Sequence, residues 1–324
     1  MIAPVVLRAQ HILYSDHLQH LKMTHKTALV LRATGVQGRA VTRHLTSSGW
    51  NVHAFVSDAT TDRAVAVQKI SDRVTLYSGT LADANSIEIA IRGCNALFLN
   101  QMPSFTDPDS ETREASTVLT LAKAAGVTHI VHSTTLSLND SDVQTKVLGN
   151  LAAFAILKKG EVEGLVRASG IPWTIIRGGY FMTNLTMPFA PIMFPGIQEG
   201  TFTSSYRPET ILPLVDPDDI GAFVAAAFNE PSKFESNIVN VAGEKMRVED
   251  VVKEISRAAG QEIKAVYRSA EETEKAQQNN PLVAGQKLSL DMEKYVDIEE
   301  VQSWGVPLTD FKTFLERNKD IIVP

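Results

Sequence analysis

Residues Thr27 to Asp58 read TALVLRATGVQGRAVTRHLTSSGWNVHAFVSD, and this stretch decides the fold. Thr27 to Leu31 is an apolar run of strand length. Ala33-Thr34-Gly35-Val36-Gln37-Gly38 is a tight turn. Val36, Ala40, Val41, His44 and Leu45 share one face of the helix that follows, and Gly49 is placed to end it as a left-handed cap. Val52 to Val56 is the next strand. Strand, glycine turn, helix and strand form the front half of a dinucleotide-binding unit. Gly35 lets the backbone approach a pyrophosphate, Gly38 lets helix and strand pack closely, and the helix N-terminus offers free N–H groups. The full fingerprint has glycine at position 32. This chain has Arg32.

Outward from that unit, strands and helices alternate to about residue 180, as in a parallel sheet with crossover helices. Helices are expected over 61–70, 82–91, 111–125 and 152–169. Strands are expected over 74–78, 96–99, 129–132 and 173–177. The segment 185–215 is broken by proline and glycine and carries Phe189, Met193, Phe194, Phe202 and Tyr206. It reads as an irregular lobe over the carboxyl edge of the sheet. A helix over 219–229, a strand over 237–241 and a helix over 248–259 follow. Residues 269–285 read as polar and irregular, and a tail helix begins near Thr309. The fold class is α/β, a Rossmann-type doubly wound parallel sheet with a smaller C-terminal substrate lobe. The domains are an extension (1–25), an NAD(P)-binding domain (26–180) and a lobe interleaved with returning Rossmann elements (181–324).

The chain has 324 residues, 44% hydrophobic and 21% charged, as in ordinary globular enzymes. Its net charge of −6 argues against nucleic acid as partner. The single Cys94 excludes an intrachain disulfide and fits a reducing, cytoplasmic compartment. No apolar run has membrane-spanning length. In the first 26 residues, His11, His17, His20 and His25 match no metal-site spacing. Met23 is expected near the functional start, with 1–22 an appended helix or extension.

Several segments together resemble the NmrA-like family, the atypical extended short-chain dehydrogenases that include isoflavone and phenylcoumaran reductases. They are Ala33-Thr34-Gly35-x-x-Gly38; Ala124-Ala125-Gly126-Val127-x-His129; Lys159-x-x-x-Glu163 with Ser169 to Arg177 (SGIPWTIIR); Gly179-Tyr180-Phe181-Met182-x-Asn184; and Leu214-Val215-Asp216-x-x-Asp219-Ile220-Gly221. The resemblance covers residues 26 to 315. It implies bound NADP(H), with NAD(H) second, and a small-molecule substrate. The family implies either specialised metabolism, with reduction sometimes coupled to ring closure, or a regulator that senses NAD(P) and binds a protein partner.

Ligands of such sheets bind beyond the carboxyl ends of the strands, so residues following each strand are the candidates. Arg32 either pairs with a 2′-phosphate or is a solvated side chain. Relatives often carry arginine where Ser57 stands. Without it, Ser57 and Arg63 are left to meet the phosphate, and Asp58 falls near the place of a ribose-binding acid. Thr80 and Leu81 would lie near adenine. Asn100, Gln101 and Met102 would line the middle of the cofactor. Thr134 occupies the position of a catalytic serine. The usual tyrosine four residues before Lys159 is Ala155, so the tyrosyl proton donor is missing there. Lys159 either holds the nicotinamide ribose and relays a proton, or forms a surface pair with Glu163. Gly179, Tyr180 and Phe181 would wall the nicotinamide, Tyr180 being a second proton donor. Phe181, Asn184, Phe202 and Tyr206 would meet substrate. His129 and His132 read as core residues, and Asp216 and Asp219 as helix caps that tie the lobe down.

Overall fold

Four consecutive buried residues, Thr27–Val30, form β1 at the centre of the molecule. The computed structural model describes residues 26–104, 106–143 and 151–323, so the N-terminal histidines and the expected start at Met23 lie outside the described residues. β1 pairs in parallel with β2 (Asn51–Val56) on one side and β4 (Ala96–Leu99) on the other. β3 (Val74–Ser78), β5 (His129–Thr135), β6 (Trp173–Gly178) and β10 (Asn237–Val241) complete a seven-stranded parallel sheet in the order β10-β6-β5-β4-β1-β2-β3. The order reverses between β1 and β4, which places a crevice at their carboxyl ends.

The strands alternate between two cores, because successive side chains point to opposite faces. Ala28, Val30, Ala96, Phe98 and Val131 face Val41 and Leu45 of α1 (Val36–Ser47) and Ile220, Phe223 and Val224 of α6 (Pro217–Asn229). Leu29, Leu31, Leu97, Leu99 and Ile130 face the other layer: α3 (Ala84–Ile91), α4 (Ser110–Ala124) and α5 (Leu151–Ala168). Gly49 follows α1 with a φ of 86°, the left-handed stop expected of it. α2 (Asp62–Gln68) starts at Thr61, whose side chain accepts from the Ala64 N–H.

A third core builds the lobe from Tyr180, Met182, Phe194, Phe202, Tyr206, Leu212, Phe311 and Phe314. The segment expected to be irregular contains β8 (Thr201–Ser204) and β9 (Ile211–Val215). β9 pairs with β7 (Tyr180–Phe181) and β11 (Glu244–Arg247), and β8 with β12 (Lys264–Tyr267). α7 (Val248–Ala259) ends at Gly260 as read. Residues 269–285 correct the sequence reading, because they are not irregular. α8 (Ala270–Asn279) opens with a capping box between Ser269 and Glu272, and α9 (Pro281–Leu288) opens with Asn280 accepting from the Leu282 N–H. The polarity of α8 hid that helix, while the caps that start both helices were present in the sequence. α10 (Ile298–Ser303) and α11 (Phe311–Arg317) close the chain.

Two aspartates fasten the lobe to the sheet. Asp216 caps α6 and pairs with Arg317 of α11. Asp219 accepts from the Thr309 N–H at 3.0 Å and its hydroxyl at 2.7 Å. Burial lifts the Asp219 carboxyl to about 6, against those two hydrogen bonds. Among the described residues no helix is long and apolar enough to cross a membrane, and no group of three or more His, Cys, Asp or Glu could hold a metal ion.

Candidate functional site

The turn after β1 is closed by the Gly35 N–H donating to the Arg32 carbonyl at 2.9 Å. Arg32 itself sits at φ 52°, in the left-handed region that the missing glycine would adopt freely. At Gly38 a Cβ would lie 2.4 Å from the Arg32 oxygen and 2.7 Å from the Ala33 Cα. Any side chain there would push α1 off the turn. Gly35 caps α1 without a side chain, and the first turn of the helix holds no acid. The N–H groups at this helix start therefore face an open, positively polarised cradle suited to an anion. Gln37 is fixed by the Ser133 hydroxyl, which donates to its Oε1 at 2.6 Å.

A cavity of about 710 Å³ opens at this cradle and runs to the lobe. Of the residues expected at the cofactor, it brings together Arg32, Thr34, Gly35, Val36, Arg63 and Met102. It adds Arg39 and Arg43 of α1, which sequence reasoning missed. On the lobe side stand Thr183, Met187, Pro188, Phe189, Phe314 and Arg317. Ser57, Thr80, Leu81, Asn100, Gln101, Lys159, Gly179, Tyr180, Phe181 and Asn184 are not on its wall.

The four arginines on the cradle side of the wall differ in their company. Arg43 is paired with Asp218 at 2.6 Å. Partial burial pulls the Arg39 guanidinium down, and the positive charges of Arg43 and Arg63 pull the same way. Among the described residues, no ion pair or side-chain hydrogen bond engages Arg39 or Arg63. Arg32 is also lowered by burial, but Glu114 and Glu111 oppose the shift. It therefore lies within the field of the acids of α4, beside β4. Asp58 does not reach toward a ribose. Its Oδ1 accepts from the Thr60 N–H at 2.8 Å and hydroxyl at 2.7 Å, which hold it below the usual carboxylate range.

The carboxyl ends of β4, β5 and β6 carry the acid–base residues, and most are engaged. Lys159 donates to Glu111 Oε1 at 2.8 Å and to the Gln101 carbonyl at 3.2 Å. The surface pair considered for Lys159 is thus replaced by a pair with α4. Glu163 instead faces Arg177, which donates to it through Nε at 3.0 Å and Nη2 at 2.6 Å. The Thr134 hydroxyl donates to Glu163 Oε1 at 2.7 Å, so its proton is not available to a substrate carbonyl. Arg177 also reaches Asn139, which in turn donates to Asn240.

The aromatic residues expected near nicotinamide and substrate lie in the lobe, off the cavity wall. Tyr180 and Tyr206 meet edge to face in the lobe core, centroids 6.3 Å apart. Burial raises the Tyr180 hydroxyl well above its ordinary value, which makes it a poor proton donor. Phe202 is fully buried and stacks on Phe194 at 4.1 Å. The expected roof residues are core because the lobe must bury its own small sheets. His129 and His132 are buried as read, and burial lowers both to about 4.

Comparison with known proteins agrees with this geometry. The model of the NmrA-like family matches residues 24–312. A (4-alkanoyl-5-oxo-2,5-dihydrofuran-3-yl)methyl phosphate reductase of Streptomyces griseus subsp. griseus is 29% identical, over 73% of this chain and 75% of that protein. An NAD(P)H azoreductase of Xenophilus azovorans is 28% identical, over 76% of this chain and 79% of that protein. The crystal structure of NmrA, a negative transcriptional regulator, in complex with NADP superposes with a TM-score of 0.72 at 20% identity. That match covers 92% of this chain and 96% of the other.

Proposed function

The chain belongs to the NmrA-like family, and from that premise we propose that it is an NADP(H)-dependent oxidoreductase acting on a small, largely apolar organic molecule in specialised metabolism. NAD(H) is the weaker cofactor in this reading. The observation that carries it is the two-ended cavity. One end is the glycine cradle with its unpaired arginines. The other carries an apolar strip of Met187, Pro188, Phe189, Phe314 and Ile321 beside the charged Asp216, Asp218 and Arg317, with Phe189 43% exposed. Reductases among the relatives, one of them an NAD(P)H azoreductase, support the same reading.

The residues present fit the cofactor. Gly38 lets α1 pack against the turn where a Cβ would meet the Arg32 and Ala33 backbone, and the uncapped start of α1 suits a pyrophosphate. Arg39 and Arg63 suit a 2′-phosphate, as guanidinium forks do. When bound, the reduced cofactor supplies a hydride. We assign the balancing proton to Lys159, which lies off the cavity wall but is the one member of the predicted catalytic set that is neither fully buried nor hydrogen-bonded through a hydroxyl. Its side chain is 18% exposed.

The test begins with mass spectrometry of nucleotide carried through purification. NADPH oxidation is then screened against quinones, enones, imines and azo dyes. Lys159→Ala is expected to lower turnover by about 10²-fold or more. Full activity in that variant would remove Lys159 from the chemistry.

A second reading, a non-catalytic NAD(P) sensor with a protein partner, has one observation in its favour. Thr134, Tyr180 and Lys159 are all engaged or buried. A parent chain that reduces none of these acceptors, yet captures one partner only when NADP(H) is bound, would favour the sensor.

A further inference from the structure

Glu111 stands in the first turn of α4, where acids normally face solvent and the helix dipole. Here its side chain is 1% exposed. Oε1 receives the Lys159 ammonium at 2.8 Å, and Oε2 is buried with no donor. Gln101 locks the arrangement from β4. Its carbonyl receives Lys159, and its Nε2 donates to the Glu111 carbonyl at 2.9 Å and to Glu114 Oε2 at 3.2 Å. Gln101 Oε1 is also buried without a donor. His132, whose ring sits in the field of Lys159 and Glu163, donates through Nδ1 to the Leu99 carbonyl at 3.0 Å. That leaves its buried Nε2 as another acceptor without a donor. Glu163, one turn beyond Lys159, is taken by Arg177 and Thr134. Lys159 is thus a proton-rich group in a neighbourhood of acceptors.

We propose that Glu111 is a positioning residue for proton donation: it keeps Lys159 charged and fixed at the carboxyl end of β4. This rests on the reading of Lys159 as the proton donor. The step balances simply. Hydride addition leaves an electron pair on a substrate oxygen or nitrogen, an N–H bond of Lys159 breaks, and the proton moves to that atom. Neutral Lys159 then leaves Glu111 as a buried, unpaired carboxylate, an unfavourable state that draws a proton back from solvent. The pair therefore favours recharging of Lys159 after each turnover, at the expense of a weaker acid in the transfer step itself. A purely structural pair would not need the neighbouring acceptors, which remain unsatisfied and costly.

The test reads Lys159 directly, without substrate. The full chain is treated with an amine-acylating reagent from neutral to alkaline pH, and labelling is mapped by mass spectrometry. The neutral amine is the reactive form, and Lys158, paired with Asp109 and Glu161, is the internal control. Glu111→Gln is expected to raise Lys159 labelling by about tenfold at a fixed pH and to leave Lys158 unchanged. Glu111→Asp, which keeps the charge, is expected to stay close to the parent chain. Unchanged Lys159 labelling in a folded Glu111→Gln variant overturns the proposal. So does a rise at both lysines, which would report general loosening. If labelling rises as expected but turnover of an accepted substrate is unaltered, the pair has no part in the reaction and the proposal is overturned, while Lys159→Ala decides the role of Lys159 itself. A parent chain that reduces nothing counts against the enzyme reading alone, and the labelling still decides whether Glu111 controls Lys159.

Discussion

Arg39 and Arg63 stand beside β2 with no acid in contact among the described residues, whereas Lys159, Glu163 and Arg177 beside β4 to β6 are each held by a buried or half-buried partner. Both groups sit at the carboxyl edge of one sheet, so location does not explain the contrast. The physical difference lies in where the opposite charge comes from. At β2 the neutralising anion must arrive from outside, and unpaired guanidiniums in a cavity raise its local concentration. At β4 to β6 the protein supplies both signs itself. That fixes geometry but makes the region sensitive to loss of either partner.

The largest break in this contrast comes at Arg177. Arg177→Met removes two hydrogen bonds from a carboxylate that is 1% exposed. It is expected to destabilise the fold by about 3–5 kcal/mol in denaturant unfolding. Adding Glu163→Leu should return much of that loss, because the uncompensated charge goes with it. A single variant as stable as the parent would show that the buried pair is not holding β6 to α5.

These pairs also mark how far the sequence could be read. The fold was legible because Val30, Gly35 and Gly38 obey local rules: strand, turn and helix chemistry are written within a few residues. Lys159 stood out for the same reason, in its spacing to the motif around it. Its partner did not. Glu111 lies 48 residues away, and in sequence it is an ordinary first-turn acid. Arg39 drew no reading from the sequence, because nothing local shows that α1 carries it to the cavity wall. Tyr180, Phe202 and Tyr206 read equally well as a pocket wall or as core, and only the lobe's pairing of β7, β8, β9 and β12 decides between them. Contacts across the sheet are set by topology, which local pattern does not carry.

A smaller effect sharpens the β2 side. Arg39→Ala and Arg63→Ala are each expected to weaken NADP(H) binding by about tenfold or more, from loss of charge-assisted hydrogen bonds. NAD(H), which lacks the 2′-phosphate, should bind nearly as well as before. Titration calorimetry with both nucleotides measures the difference. Ser57→Arg added to an Arg39→Ala, Arg63→Ala double variant should recover the preference, since position 57 directly follows β2. Equal weakening of both nucleotides would make these arginines general anion attractors and end the contrast with NAD(H).

Arg32 belongs to neither side cleanly, and its variants give the smallest and most diagnostic shift. It lines the same cavity as Arg39 and Arg63, yet its field partners are Glu114 and Glu111 beside β4. Its backbone is left-handed at φ 52°. Arg32→Ala removes the guanidinium and keeps the backbone strain, while Arg32→Gly removes both. The glycine variant is therefore expected to be more stable than the alanine variant by about 1 kcal/mol in urea unfolding. Ordinary backbone positions show the reverse order, so the sign alone tests the conformation of the turn. Nucleotide preference separates the side chain's role. If Arg32 serves the acids of α4, both variants keep the parent's preference for NADP(H) over NAD(H). If either variant weakens NADP(H) much more than NAD(H), the 2′-phosphate is shared with the turn, and the boundary between open and closed charge lies at Arg32 rather than beyond it.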